Sequence, residues 1–174
     1  TNTTVDVRDM CFDSNNNLIL TDKNNYRVRK FNTVTGIITT IAGNGTNAYS
    51  GNNVPPLNAS FLNINSVRLD DHDNIYVSGG GMIRKMDSAL TNISDFISTT
   101  GISQFYNGIP ASDCSCLNIN SVEFDVINNE MFFSFDNLFK LNMTSCSALN
   151  TPTLSLNVSN QCETMTAEVV SSNA

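Results

Sequence analysis

Short apolar runs, separated by clusters of Asn, Asp, Ser, Thr and Gly, fill the chain from one end to the other. Runs of this length bounded by turn residues predict strands rather than helices. Val5-Asp6-Val7 with Met10-Cys11-Phe12, then Leu18-Ile19-Leu20, Tyr26 to Phe31 and Ile37 to Ala42 predict four strands. The third alternates apolar with basic residues, and the fourth is β-branched. Between them lie Asp13-Ser14-Asn15-Asn16-Asn17, Asp22-Lys23-Asn24-Asn25 and Thr33-Val34-Thr35-Gly36. Such clusters turn the chain because an Asp side chain accepts from nearby backbone amides and Asn tolerates the left-handed conformation. The pattern then recurs. Asn65–Leu69, Ile75–Val77, Met82–Met86 and about Asp95–Thr99 predict a second set, with Gly79-Gly80-Gly81 as a tight hairpin. Val122–Phe124, Met131–Phe133 and Leu138–Leu141 predict a third, whose fourth strand is expected within Thr153–Val158. Glu168-Val169-Val170 opens a further unit or forms a tail, and nothing predicts a helix of useful length.

The recurrence is also literal. Leu62-Asn63-Ile64-Asn65-Ser66-Val67 reappears as Leu117-Asn118-Ile119-Asn120-Ser121-Val122, 55 residues later. Aligned on Asp13, Asp70 and Asp125, the copies lie 57 and 55 residues apart, and Asn17, Asn74 and Asn129 follow at equal distance. Lys30, Lys85 and Lys140 also fall in register. A repeat of this period is the mark of a modular architecture. The units are expected at 1–61, 62–116 and 117–162, with 163–174 as the further unit or tail. One four-stranded meander cannot bury both of its faces alone, so stacking meanders around a common centre is the expected solution: an all-β fold of β-propeller blades, about three of them present.

Composition narrows function. The formal charge of −7 opposes nucleic acid and anionic membrane surfaces. No apolar run approaches the roughly 18–20 residues of a membrane-spanning helix. Only 14% of residues are charged, and 27 Asn against 4 Lys point to a neutral polar surface. The chain starts at Thr1, which suggests a processed or truncated product. Six sequons for N-linked glycans, at Asn2, Asn44, Asn58, Asn92, Asn142 and Asn157, stand beside five cysteines. Together they point to a secreted or cell-surface glycoprotein.

Asp13…Asn17-Leu18-Ile19-Leu20-Thr21-Asp22…Asn25-Tyr26-Arg27-Val28-Arg29-Lys30 and Thr35-Gly36-Ile37-Ile38-Thr39-Thr40-Ile41-Ala42-Gly43-Asn44-Gly45-Thr46 resemble NHL-repeat β-propellers. The linker Tyr49 to Leu62 resembles that family's inter-blade segment, and the resemblance covers about 1–145. Tyr26 stands where the family has its name-giving His, and Asn52-Asn53 replaces an acidic-glycine pair. Gly79 replaces the Asp found at Asp22, which removes a cross-strand partner for the arginine of the second unit. The resemblance implies a ring of typically six blades. Three units cannot close such a ring, so either this chain is part of a longer protein or two copies pair as half-rings.

Candidate chemistry is sparse. Asp70-Asp71-His72-Asp73 could hold a divalent ion, but its counterparts are plain turns and its spacing is not that of a calcium loop, so a solvated turn is the expectation. His72 is the only histidine, which leaves a catalytic triad only a surface turn to form on, and excludes the several-His zinc site of amidating-lyase relatives of this fold. Arg27, Arg29, Lys30, Arg84 and Lys85 could form a basic face, against the reading of a row satisfied by carboxylates such as Asp22. Phe132, Phe133, Phe135 and Phe139 read as core between blades, and Gly79–Gly81 lacks the following helix of a phosphate loop. Cys114 and Cys116 are too close to bond each other comfortably, so each is expected to reach a distant partner, with Cys146 and Cys162 the candidates. Cys11 is left over, with a partner in a missing segment, and a zinc site is the alternative use of these thiols. No catalytic residue, metal or cofactor is expected. The leading expectation is a non-enzymatic extracellular scaffold that binds a protein or a glycan, with self-association completing the propeller as a further possibility. The alternatives are a structural subunit of a filament or surface coat, and a hydrolase or lyase whose site lies in missing blades.

Overall fold

The computed structural model describes residues 4–97, 109–110, 119–125, 127–128, 130–134, 138–142, 153–154 and 167–169. Together these are all-β apart from two single-turn 3-10 segments, Lys23–Asn25 and Pro56–Asn58. The first sheet joins β1 (Val7–Phe12), β2 (Leu18–Asp22), β3 (Arg27–Phe31) and β4 (Ile38–Ala42). The second joins β5 (Ile64–Leu69), β6 (Ile75–Gly79), β7 (Met82–Met86) and β8 (Ile93–Ile97). After β9 (Ile109–Pro110) come β10 (Ser121–Asp125), β11 (Glu130–Ser134), β12 (Leu138–Asn142), β13 (Thr153–Leu154) and β14 (Ala167–Val169). The first two sheets are antiparallel meanders in sequence order, the third runs β10-β11-β12-β14, and β9 pairs with β13.

Turn chemistry sets the strand ends. Phe12 pairs with Leu18 and Leu69 with Ile75, each across a five-residue turn closed by an Asp. Tyr26 takes a left-handed φ of 50° at the end of its 3-10 turn, so β3 begins one residue later than the apolar pattern suggests. The β6–β7 hairpin is a two-residue turn with φ of 59° and 81° at Gly80 and Gly81. Two positive φ angles in succession match the right-handed twist of the flanking strands, which glycine accommodates without strain.

Period-two alternation then decides which side chains meet. Cys11, Ile19, Val28 and Ile41 project from the first sheet toward Val67, Leu69, Ile75, Val77, Met86 and Ile93 of the second, and with Ala42, Ala59, Phe61 and Ile64 they form one core. Burying each such aliphatic side chain contributes about 1.5–3 kcal/mol before the loss of chain entropy is counted. On its far side the second sheet meets the third, where Tyr76 packs on Phe124 with ring centroids 4.7 Å apart and on Phe96 at 5.2 Å. Val122, Met131 and Phe133 are buried there. The first strands of the three sheets are neighbours, β1 beside β5 and β5 beside β10. The described part of the repeated hexapeptide lies at this seam: Ile64 and Ile119 are both fully buried, and Asn65 Nδ2 donates to the Ile119 carbonyl at 3.2 Å.

Three expectations need correction. The fourth strand of the third sheet is Ala167–Val169, the segment expected to open a further unit or form a tail. Thr153–Leu154 pairs instead with Ile109–Pro110. The fourth strand of the second sheet is Ile93–Ile97, starting two residues before Asp95, because the linker reaches out to it: Asn53 N–H donates to the Ile93 carbonyl (2.9 Å) and Ile93 N–H to Val54 (3.0 Å). That contact covers the outer edge of β8, a position where bare strands invite aggregation.

Candidate functional site

The best-formed polar devices are the Asp turns. Asp13 Oδ1 accepts from the backbone N–H groups of Asn15 (3.0 Å) and Asn17 (2.8 Å), the Asn17 amide bridges both carboxylate oxygens, and Lys30 Nζ sits 2.8 Å from Oδ2. Burial pushes the Asp13 pKa upward, but bonds from Lys30 and Asn17 outweigh it and hold the carboxyl below its ordinary 3.8. Asp70 repeats the arrangement with His72 and Asn74 N–H groups on Oδ1, and Asn74 Nδ2 (2.8 Å) and Tyr76 OH (3.1 Å) on Oδ2. Burial, then the Asp70 charge, drives the Tyr76 phenol pKa far up. Asp125 repeats it again, with Ile127 and Asn128 N–H groups on Oδ1 and Asn128 Nδ2 at 2.7 Å from Oδ2. Its pKa is lowered chiefly by the Asn128 side chain. The third turn therefore uses Asn128; Asn129, its partner by alignment, lies outside the described residues.

This geometry decides how the Asp70-Asp71-His72 cluster is to be read. One ligand atom from each residue falls within 4.8 Å of the others. Both oxygens of Asp70 already accept turn donors, His72 Nδ1 contacts exposed Asp71, and Asp73 accepts from the N–H and hydroxyl of Ser14 on the neighbouring sheet. Asp70 and Asp73 are thus engaged in holding two abutting turns, while the Asp71 carboxylate and the His72 ring stand exposed against each other.

The basic residues do not share a face. Arg29 pairs with Asp22 (2.8 Å) and Lys30, pointing the other way, with Asp13. Arg27 donates to the carbonyls of Asn25 (2.9 Å) and Asn44 (3.0 Å). Lys85 Nζ lies over the Tyr76 ring at 5.2 Å. Arg84 is buried between the Tyr49 and Phe61 rings and donates to the carbonyls of Ser60 and Gly51. Its missing partner at Gly79 is replaced by Asp95 on β8, with Nε and Oδ1 3.3 Å apart. Burial lowers the Arg84 pKa and Asp95 works against that. Tyr49, bonded to Asp95, is raised to about 12, first by burial and then by that carboxylate.

At the seam of first strands Arg68 joins Asp9 (2.7 Å) and Glu123 (2.8 Å), one residue from each sheet. Burial opposes the Arg68 charge, and the two carboxylates outweigh it and raise its pKa. Glu123 stands at the position equivalent to Arg68, 55 residues on, whereas Asp9 is not an equivalent position and could not be read from the repeat alignment. Cys11, a free thiol beside them, is pushed to about 12, mainly by burial. Cys114, Cys116, Cys146 and Cys162 lie outside the described residues, as do Asn2, Asn157 and Phe135, and only the backbones of Phe139 and Asn142, both in β12, are described. Phe132 is half-buried and Phe133 is core.

Three sequons are described in full. Asn58 and Asn92 are exposed, and neither side-chain amide bonds to another described residue. Asn44 differs: its Nδ2 donates to the Asn58 carbonyl (3.2 Å) and Ser60 Oγ (3.1 Å), and its Oδ1 accepts from Thr46 N–H (2.9 Å). A cleft between the first and second sheets is lined by Asp13, Lys30, Asp73, Ile19 and Leu90 among others. At about 130 Å³ it is smaller than the roughly 300–1,000 Å³ typical of small-molecule sites. No helix among the described residues is long and apolar enough to cross a membrane.

No family model and no curated protein matches the chain. Among solved structures it is similar to a structural genomics protein of unknown function from Bacteroides thetaiotaomicron VPI-5482, with 18% identity and a TM-score of 0.55. The match covers 68% of this chain and 29% of that one, so this chain spans less than a third of that protein's length. Identity this low speaks to fold alone.

Proposed function

We propose that the three sheets are NHL-type blades of a β-propeller that serves as a glycosylated, extracellular, non-enzymatic module for binding a protein or a glycan. The observation that carries this reading is the triplicate plan itself. Each sheet has four antiparallel strands, opens on an Asp-closed turn and sets its first strand beside that of the next sheet. Charged side chains that might have done chemistry are engaged in structure: Asp13, Asp22 and Asp70 close turns, while Arg84 and Asp95 hold the linker. A scaffold of this kind recognises partners through its surface loops and faces, here in a chain that is only 14% charged and rich in Asn, Ser and Thr.

The test is secretion from a eukaryotic host, removal of N-glycans with intact-mass readout, and screening on protein and glycan arrays. Glycans at Asn58 and Asn92 are expected, at higher occupancy than at Asn44, where a sugar on Nδ2 would displace one of two hydrogen bonds. A secreted product without glycosidase-sensitive mass would remove the glycoprotein reading, and turnover on an ester or glycoside panel would remove the non-enzymatic one.

A further inference from the structure

Asn44 and Gly45 stand together where β4 passes into the linker, and the fold surrounds them with groups suited to one reaction. An asparagine carboxamide is attacked by the backbone nitrogen of the next residue once that nitrogen loses its proton. Glycine in that next place has no Cβ to obstruct the approach. Gly45 is fixed here: its φ is 93°, and a Cβ would run into the Arg27 guanidinium. Asn44 is exposed, so water and base reach the pair, and Gly45 N–H donates to no other described residue. Arg27 Nη2 donates to the Asn44 main-chain carbonyl at 3.0 Å. A cation on that oxygen draws electrons from the Asn44–Gly45 amide and makes its N–H more acidic. On the side chain, Asn44 Oδ1 accepts from Thr46 N–H (2.9 Å) and from the Ser60 hydroxyl (3.3 Å). Both donors point at the oxygen on which negative charge grows as Cγ becomes tetrahedral. The same Ser60 Oγ lies 3.1 Å from Nδ2, the nitrogen that would leave.

We infer that Asn44 is a self-modification site, which the folded chain converts from amide to carboxylate with water as the only co-reactant. Gly45 N bonds to Asn44 Cγ, the Cγ–Nδ2 bond breaks, and Nδ2 departs as ammonia with the proton that Gly45 gives up. Ser60 Oγ, touching both Oδ1 and Nδ2, is placed to relay that proton. Water then opens the cyclic imide, its OH going to one carbonyl carbon and its H to the ring nitrogen. An aspartate or an isoaspartate is left at position 44. The product alters the linker's attachment. Asn44 Nδ2 donates to the Asn58 carbonyl at 3.2 Å, and a carboxylate oxygen in its place meets that carbonyl with no proton between them. The bond from Asn44 N–H to the Ala59 carbonyl (2.8 Å) remains, so the linker is loosened at this end and not released. Neither the number of blades nor the presence of glycans enters this chemistry.

The test incubates the full chain, made without N-glycans, beside a synthetic peptide spanning Ile41–Tyr49, from neutral to mildly alkaline pH. Peptide mapping by mass spectrometry follows the conversion, and ion exchange resolves the added negative charge. The peptide has the same Asn-Gly pair without Arg27 or Ser60, so the folded chain should convert about tenfold faster. Asn17 and Asn74, followed by the bulky Leu18 and Ile75, should remain amides over the same period. Ser60→Ala removes a hydroxyl that bonds to Asn44 alone among the described residues, and should slow the folded chain about tenfold. Arg27 acts through the peptide bond as a positioning residue. Arg27→Gln should therefore displace the rate-against-pH line toward higher pH, and Arg27→Lys, which keeps the charge, should bring part of it back. A folded chain that converts no faster than the peptide overturns the proposal, and that comparison needs no variant. A rate indifferent to both Ser60→Ala and Arg27→Gln overturns it too.

Discussion

Arg29 and Arg84 occupy the same place on the third strand of successive sheets, yet carboxylates on opposite neighbours hold them. In the first sheet the carboxylate is Asp22 at the end of β2, which also accepts from Asp6 N–H and Asn25 Nδ2, and Thr40 on β4 supplies a hydroxyl. In the second sheet the β2 equivalent is Gly79 and the β4 equivalent is Asp95. Close approach of backbone explains the exchange. A Cβ on Gly79 would lie 2.5 Å from the Leu62 carbonyl oxygen, so no side chain fits there and the charge must come from the other side. On that side runs the linker, and Tyr49, Asn52, Ser60 and Gly51 close around the pair. The result is a deeper burial: side-chain exposure is 2% for Arg84 against 16% for Arg29. One cross-strand ion pair has become the anchor of an inter-sheet connection.

The largest effect should come from stranding the deeper arginine. Asp95→Ala leaves a buried guanidinium without its counter-charge, which costs about 3–5 kcal/mol. Removing both charges with Arg84→Met and Asp95→Leu should restore most of that loss, since the charge is then absent rather than unpaired. Chemical denaturation of the wild type, the single variant and the double variant gives the three values. A single-variant cost below about 1 kcal/mol would show that the linker carbonyls alone satisfy Arg84.

Asp22→Ala should cost less, about 2–3 kcal/mol, because Arg29 keeps Thr40 and a share of solvent. Transplanting the first sheet's solution should also fail: Gly79→Asp in the Asp95→Ala background should lower stability further, since its side chain has no room beside Leu62. Rescue by that substitution would mean that the linker backbone yields, and that the exchange of carboxylates has another origin.

Much of this plan is legible in the residues and some is not. The strands, the three Asp turns and the inward face follow from local periodicity, because Ile19, Val28 and Ile41 alternate with polar neighbours and turn chemistry is local. The loss of a partner for Arg84 is also readable from Gly79. The identity of its replacement is not, since Asp95 became a partner only once β8 had been placed, and the linker that shifts β8 toward Ile93 bonds across some 40 residues of sequence. The bond of Arg68 to Asp9 is hidden for the same reason, since the repeat alignment does not equate those two positions, although it does equate Arg68 with Glu123. The fourth strand of the third sheet is not legible either, because Thr153–Leu154 has the residues of a strand but pairs with β9, while Ala167–Val169 pairs with β12.

The smallest effect concerns the one charged pair in the first sheet that faces the second, Asp13 with Lys30. Because the folded pKa of Asp13 lies below 3.8, its contribution to stability is complete above that value and is lost as pH falls through the lower, folded one. Lys30 is about one-third exposed, so solvent screens the pair and the contribution is about 1 kcal/mol or less. Other carboxylates titrate in the same range, so the useful quantity is a difference. Asp13→Asn keeps the turn's acceptor and removes its charge. Urea midpoints for wild type and variant should differ at pH 7, and the difference should shrink as pH falls below 3.8. A gap that stays constant as pH falls would mean that the Asn15 and Asn17 bonds carry the turn, and that the Lys30 charge adds nothing to it.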